Sequence, residues 1–260
     1  MSRHRELSRF ASILYYQSVS ELKQEIAKKY LGFIWWFLDP VLYMGVFYLL
    51  FATGLRGGSS GADFVWFLFC GLVPWKWFAS SMENGSRAIS GNASLISQVY
   101  FPKIILPATV FVAQTFKFLI VLGVLLLALL LAGRLQLQAV PLLLGLLLLN
   151  ALLNVSVAAL AAAVVPFVPD LKQVISYSTI FLFFLSGIFF SIDSLSPEAA
   201  AWLQYNPMLT LISAYRHVLL GMPMPASSSM IIVLVETGVL ASLTALVYHR
   251  YDRIFPRLVV

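Results

Sequence analysis

The chain is poor in charge and nearly devoid of cysteine. Of its 260 residues, 11% are Asp, Glu, Lys or Arg, against about 25% in an ordinary soluble domain. One cysteine, Cys70, rules out an internal disulfide, and a lone thiol inside an apolar run reads as a packing residue. His4, His217 and His249 stand far apart with no cysteine or carboxylate cluster beside them, which argues against a metal site. The phosphate-cradling pattern G-x-x-x-x-G-K-[ST] is missing, so the chain is not expected to bind ATP through a P-loop of its own, and no H-E-x-x-H or C-x-x-C occurs. These absences leave little room for an enzyme.

What the chain has instead is apolar length. Sixty per cent of it is hydrophobic, with a mean hydropathy of +0.89, more than one water-soluble core of this size could bury. An integral membrane protein is implied. Six apolar segments, about 33–54, 64–82, 107–132, 139–165, 174–192 and 229–248, are each long enough to cross a hydrocarbon layer, which takes about 20 helical residues. Period-two alternation is absent, so helices are expected and not a barrel. The reading is a single domain over 1–260: a cytoplasmic interface helix in 1–30, six spans within 31–248 and a tail at 249–260.

The positions of the cations set the orientation. With the N-terminus inside, the cytoplasmic segments hold twelve Lys or Arg: six in 1–32, then Arg87, Lys103, Lys172, Arg250, Arg253 and Arg257. The external segments hold three, Arg56, Arg134 and Arg216. Lys/Arg excess marks the cytoplasmic side, so both termini are expected to be cytoplasmic, and the net charge of +6 belongs to membrane topology and not to nucleic-acid binding. Before the first span, Leu7, Phe10, Ala11, Leu14 and Tyr15 share a helical face that ends near Ser18, beside Arg3, Arg5 and Arg9. That pattern suits an amphipathic helix lying in the interface. Between the fifth and sixth spans, 193–228 is interrupted by Pro197, Pro207, Pro223 and Pro225, yet carries Met208, Leu211, Ile212, Tyr215 and Leu219 on one face. Two short helices broken near Asn206-Pro207 and dipping back into the membrane fit it, and irregular backbone at that depth must be buried or line a watery cavity. Within the spans, Lys76, Lys117 and Glu236 are ionisable residues of the kind that mark ion coupling or structural pairing, and Asn150 and Asn154, one turn apart, suit hydrogen bonding between helices. Tyr43, Phe47, Trp75, Trp77 and Phe78 gather aromatic rings on the first two spans, while Trp35, Trp36 and Trp66 fit an interfacial belt.

Four motifs occur in order along the chain. After Lys28-Lys29 comes Tyr30-Leu31-Gly32-Phe33-Ile34-Trp35-Trp36-Phe37-Leu38-Asp39-Pro40; the second span holds Gly71-Leu72-Val73-Pro74-Trp75-Lys76-Trp77-Phe78; Phe101-Pro102-Lys103-Ile104-Ile105-Leu106-Pro107 precedes the third; and Asn206-Pro207 is followed by Tyr215-Arg216 and Gly221. Together they resemble the polysaccharide-export permeases of the type-2 ABC exporters, the membrane subunits that move O-antigen, capsular polysaccharide or teichoic acid. Lys76 departs from the family's usual uncharged residue, and 191–197 is only loosely similar. The resemblance implies a homodimer in the bacterial cytoplasmic membrane with two copies of a separate P-loop ATPase, which would hold ATP and Mg while this chain holds no cofactor. It implies an ATPase contact through 83–102, with Ser94, Leu95 and Ile96, and a second around Asp170 and Lys172. For a lipid-linked glycan, the clustering on the first two spans makes Tyr43, Phe47, Trp75, Lys76, Trp77 and Phe78 the expected path residues, and the resemblance puts Arg216 at the exit. Arg216 has three readings: a fork onto a lipid diphosphate or acidic sugar, a pair with Asp193 or Glu198 in its own loop, or an interfacial arginine that reaches water. Two other functions remain open at this point, a type-2 exporter of drugs or small hydrophobic molecules and an ion-coupled secondary carrier.

Overall fold

A computed structural model describes residues 3–27, 30–53, 61–98, 101–135, 140–252 and 254–255. Those residues form ten α-helices joined by loops and 3-10 turns, with no strand among them. In chain order they are α1 (Arg3–Ala27), α2 (Trp35–Thr53), α3 (Gly61–Ser86), α4 (Ala93–Gln98), α5 (Ile105–Leu131), α6 (Val140–Val164), α7 (Leu171–Leu185), α8 (Pro197–Leu203), α9 (Pro207–Leu220) and α10 (Ser227–Tyr251). Each of the six apolar segments of the sequence contains one of these helices, α2, α3, α5, α6, α7 and α10. By length and composition α5, α6 and α10 are each able to cross a membrane.

Local chemistry explains the boundaries. At the end of α5, Gly133 sits at φ +67°, and the Arg134 and Gly133 N–H groups donate to the Leu129 and Leu130 carbonyls at 2.9 and 3.0 Å. This pair of bonds satisfies the helix's last carbonyls and needs a left-handed residue that glycine adopts without strain. The helix α7 stops at Leu185, seven residues before the apolar run does, because Gly187 at φ +71° turns the chain. The break at Asn206-Pro207 is a helix start: the Asn206 side chain accepts from the Met208 N–H at 3.1 Å, and Pro207 occupies the first helical position, where its missing N–H costs nothing.

The helix α3 is the hub, packing against α2, α5, α6, α7 and α9, while α10 packs on α6. In lipid the hydrophobic effect does not draw helices together, so close backbone approach and polar contacts must do it. One such approach lies at Gly85, where an added Cβ would stand 2.6 Å from the Ala158 Cβ. Ala158, Ala159, Ala162 and Ala163 are all buried, giving α6 a smooth face for its neighbours. At the α4 end of the bundle a second apolar cluster joins Ile89, Ile96, Phe101, Ile105 and Ala159 to Tyr248 and Phe255. Two polar bonds tie α10 to α6 there: the Thr244 and Tyr248 hydroxyls donate to the Ser156 and Ala159 carbonyls at 3.0 and 2.9 Å.

The N-terminal helix goes further than its sequence pattern. It continues to Ala27 and runs beside the first half of α5, where the Ser18 hydroxyl donates to the Thr109 carbonyl and Glu25 meets Lys117. Phe10, Ile13 and Leu14 pack on the second cluster, whereas Tyr15 and Tyr16 are exposed. The side chains of Leu7 and Ala11 lie outside those described.

Candidate functional site

A cleft of about 920 Å³ is bounded by α1, α2, α3, α5 and α7. Trp35, Trp36, Tyr43, Trp75, Phe183 and Phe184 supply its aromatic wall, and Glu25, Asp39, Lys76, Glu83, Gln114 and Lys117 a polar tier. The rings hold one another in place. Trp75 lies 5.5 Å from Phe78 and 6.0 Å from Phe183, while Tyr43 meets Phe183 edge-on at 6.1 Å. Trp77 stacks on Phe118 at 4.1 Å, and its indole N–H donates to the Thr115 hydroxyl at 3.2 Å. That bond satisfies a donor that burial would otherwise strand.

Two ion pairs cross the cleft. The Lys76 ammonium on α3 lies 2.7 Å from an Asp39 carboxylate oxygen on α2 and 3.9 Å from the centre of the Tyr43 ring. The Lys117 ammonium on α5 lies 2.7 Å from Glu25 on α1. An intramembrane cation is costly unless paired, so each lysine fixes a neighbouring helix by its need for an acid. One turn before Glu25, burial first and then the Glu25 charge hold the Glu21 carboxyl above its ordinary range, with Lys117 acting the other way.

Of the path residues proposed from sequence, Tyr43, Trp75, Lys76 and Trp77 meet in this cleft, and Phe78 is buried behind Trp75. The Phe47 side chain lies outside those described. Arg216 is elsewhere and is engaged by main chain. Its Nε donates to the Phe67 carbonyl at 3.1 Å, Nη1 to Gly187 at 2.6 Å and Nη2 to Ile188 at 2.8 Å, and the Phe67 ring lies 3.4 Å beneath it. With 2% exposure, the guanidinium joins α3, the turn after α7 and α9. These carbonyls stand where the sequence offered a diphosphate or a loop carboxylate; Asp193's side chain is outside those described, and Glu198 is exposed.

The proposed ATPase-contact residues divide by exposure. On α4, Ser94 is exposed, Leu95 half-buried and Ile96 buried in the chain's own second cluster. At the start of α7, Asp170 is exposed and Lys172 half-exposed, next to exposed Phe167 and Val168. Between these segments and α10, the Lys103 N–H donates to Asp252 at 2.7 Å, and its ammonium to the Phe101 carbonyl at 2.6 Å. Burial lowers the Lys103 pKa, against the pull of Asp252.

Sequence reasoning missed Glu25 and Glu83 and assigned Trp35 and Trp36 only to an interfacial belt. Glu21 and Glu25, a turn apart on α1, were a legible signal: an intraspan Lys117 calls for an acid, and this helix before the spans ends with a pair of them.

Among the described residues, then, the structured elements are all helical, and they bound an aromatic cleft crossed by two ion pairs. The chain belongs to the ABC-2 type transporter family, whose model matches residues 18–220. Among curated relatives, the O-antigen export system permease protein RfbA of Myxococcus xanthus is 30% identical over 216 residues, covering 82% of each chain. The protein of the same name from Klebsiella pneumoniae is 25% identical over 207 residues, covering 77% of each.

Proposed function

We propose that this chain is the membrane subunit of an ATP-driven exporter that carries lipid-linked O-antigen across the bacterial cytoplasmic membrane. The observation that carries this reading is the cleft, in which aromatic faces for sugar rings alternate with amide, hydroxyl and paired charged groups that hydrogen-bond hydroxyls. The export function in the names of relatives that match most of the chain supports the same substrate.

In this reading α2, α3, α5, α6, α7 and α10 are six spans, α8 and α9 form an external re-entrant pair, and both termini are cytoplasmic. Two copies of the chain face each other and bring their clefts to a common path past Tyr43, Phe47, Trp75, Lys76 and Trp77. Phe78 backs the wall, and Arg216 fastens the external end. Hydrolysis belongs to two copies of a separate ATPase, which touches Ser94 and Leu95 on α4, with Ile96 anchoring that helix from beneath, and Asp170 and Lys172 at the start of α7. The exposed Phe167 and Val168 add apolar surface for the same partner.

The test is genetic and chemical. Cells without this chain should lose O-antigen from their surface and accumulate lipid-linked glycan on the cytoplasmic face, and re-expression should restore export only with the ATPase subunit present. Normal surface O-antigen without the chain would refute the assignment. A cysteine at Ser90 should resist an impermeant maleimide added outside, and labelling there would overturn the topology.

A further inference from the structure

The charges of the cleft point to the kind of glycan it admits, an inference that rests on the export reading above. Among the described residues lining it, two cations face three carboxylates: Lys76 and Lys117 against Glu25, Asp39 and Glu83. Both ammonium groups are taken at 2.7 Å, by Asp39 and Glu25. Glu83 has no ion-pair partner among the described residues. The rest of the polar lining, Ser80, Asn84, Gln114 and Thr179, is neutral. Glu21 brings a further acid to the Lys117 pair. Among the described residues, a chain entering the cleft therefore meets ring faces, hydroxyls, amides and a carboxylate with no ion-pair partner. An acidic sugar would have to approach Glu83 or draw a lysine from its partner, leaving that carboxylate without its counter-charge, and both are unfavourable. A neutral sugar meets neither penalty and uses the same hydrogen-bonding groups.

We propose that the cleft selects an uncharged polysaccharide, with Glu83 and the two closed ion pairs excluding acidic sugars. The proposal is tested on the full-length permease in lipid nanodiscs by intrinsic tryptophan fluorescence, since Trp35 and Trp36 line the cleft. The probes are maltohexaose and hexagalacturonate, both hexamers, the first uncharged and the second polyanionic. Maltohexaose should give a saturable change, and hexagalacturonate should bind about tenfold more weakly, as expected for one uncompensated like charge at close range. The gap should narrow as salt rises from about 0.05 to about 0.5 M, because screening shortens the reach of that charge. Glu83→Gln should narrow the gap, whereas Glu198→Gln, on the exposed α8, should leave it in place. Equal or tighter binding of hexagalacturonate, or a gap insensitive to both salt and Glu83→Gln, overturns the selection and leaves the glycan path standing. No saturable response to either hexamer removes the path reading and the selection together.

Discussion

Replacing Arg216 tests whether its guanidinium is a fastener or a ligand group. Three short bonds to the Phe67, Gly187 and Ile188 carbonyls depend on its planar fork. Arg216→Met strands all three acceptors in a dry site. Each unsatisfied buried group costs about 1–3 kcal/mol, and relaxation keeps the total to about 3–5 kcal/mol, the range for breaking a buried charge interaction. Arg216→Lys keeps the charge but not the fork. An ammonium of shorter reach recovers one or two of the bonds, so about 2–3 kcal/mol should be lost. Gly71→Ala attacks the same contact from α3, since its Cβ would stand 2.7 Å from Nη2 and 3.2 Å from Ile212. The assay uses the chain's one cysteine: Cys70 is fully buried, so a thiol-reactive dye lights up only on unfolding. All three variants should unfold several degrees below wild type, Met lowest. Wild-type unfolding of Arg216→Lys together with lost export would refute the fastener and restore a ligand role.

The ion pairs and contact helices give further tests. Lys76→Met should lower the unfolding midpoint by leaving Asp39 uncompensated, and adding Asp39→Asn should recover most of it; additive losses in this double-mutant cycle would show the two are uncoupled. Leu95→Asp should abolish substrate-stimulated hydrolysis by the ATPase with the permease still inserted, whereas Ile96→Ala should cost about 2–4 kcal/mol of stability by opening a cavity in the second cluster. The raised Glu21 pKa gives a stabilising contribution that is full below the ordinary glutamate value and fades as pH rises through the raised one. Glu21→Gln should therefore flatten the acid side of the stability profile in a thermal scan from pH 4 to about pH 7.

The helices were legible because apolar length and caps are local. The break at Asn206-Pro207, the α9 stripe and the six apolar runs all followed from nearest neighbours in sequence. The site was legible in its residue types and less so in its pairings. Lys76 reads as an oddity until Asp39, 37 residues earlier, is placed beside it. The partner of Lys117 lies 92 residues away on a helix whose visible stripe ended at Ser18. Arg216 shows the same limit more sharply. Its partners are carbonyls of Phe67, Gly187, Ile188 and Phe190, and main-chain acceptors carry no side-chain signature. Ile96 read as part of an apolar patch seeking another chain, but the α10 end and the loop before α5 fold back to cover it.

The central claim is that the cleft among α2, α3, α5 and α7 is the path of the glycan. Ser80 lines that cleft and is partly exposed, and buried Cys70 leaves no competing thiol. Ser80→Cys, reconstituted with the ATPase subunit in proteoliposomes, can be modified with a maleimide carrying a bulky group. Export of lipid-linked glycan should then stop while ATP hydrolysis continues, and a small maleimide should slow export less than the bulky one. Wild-type export through the fully modified protein would contradict the account.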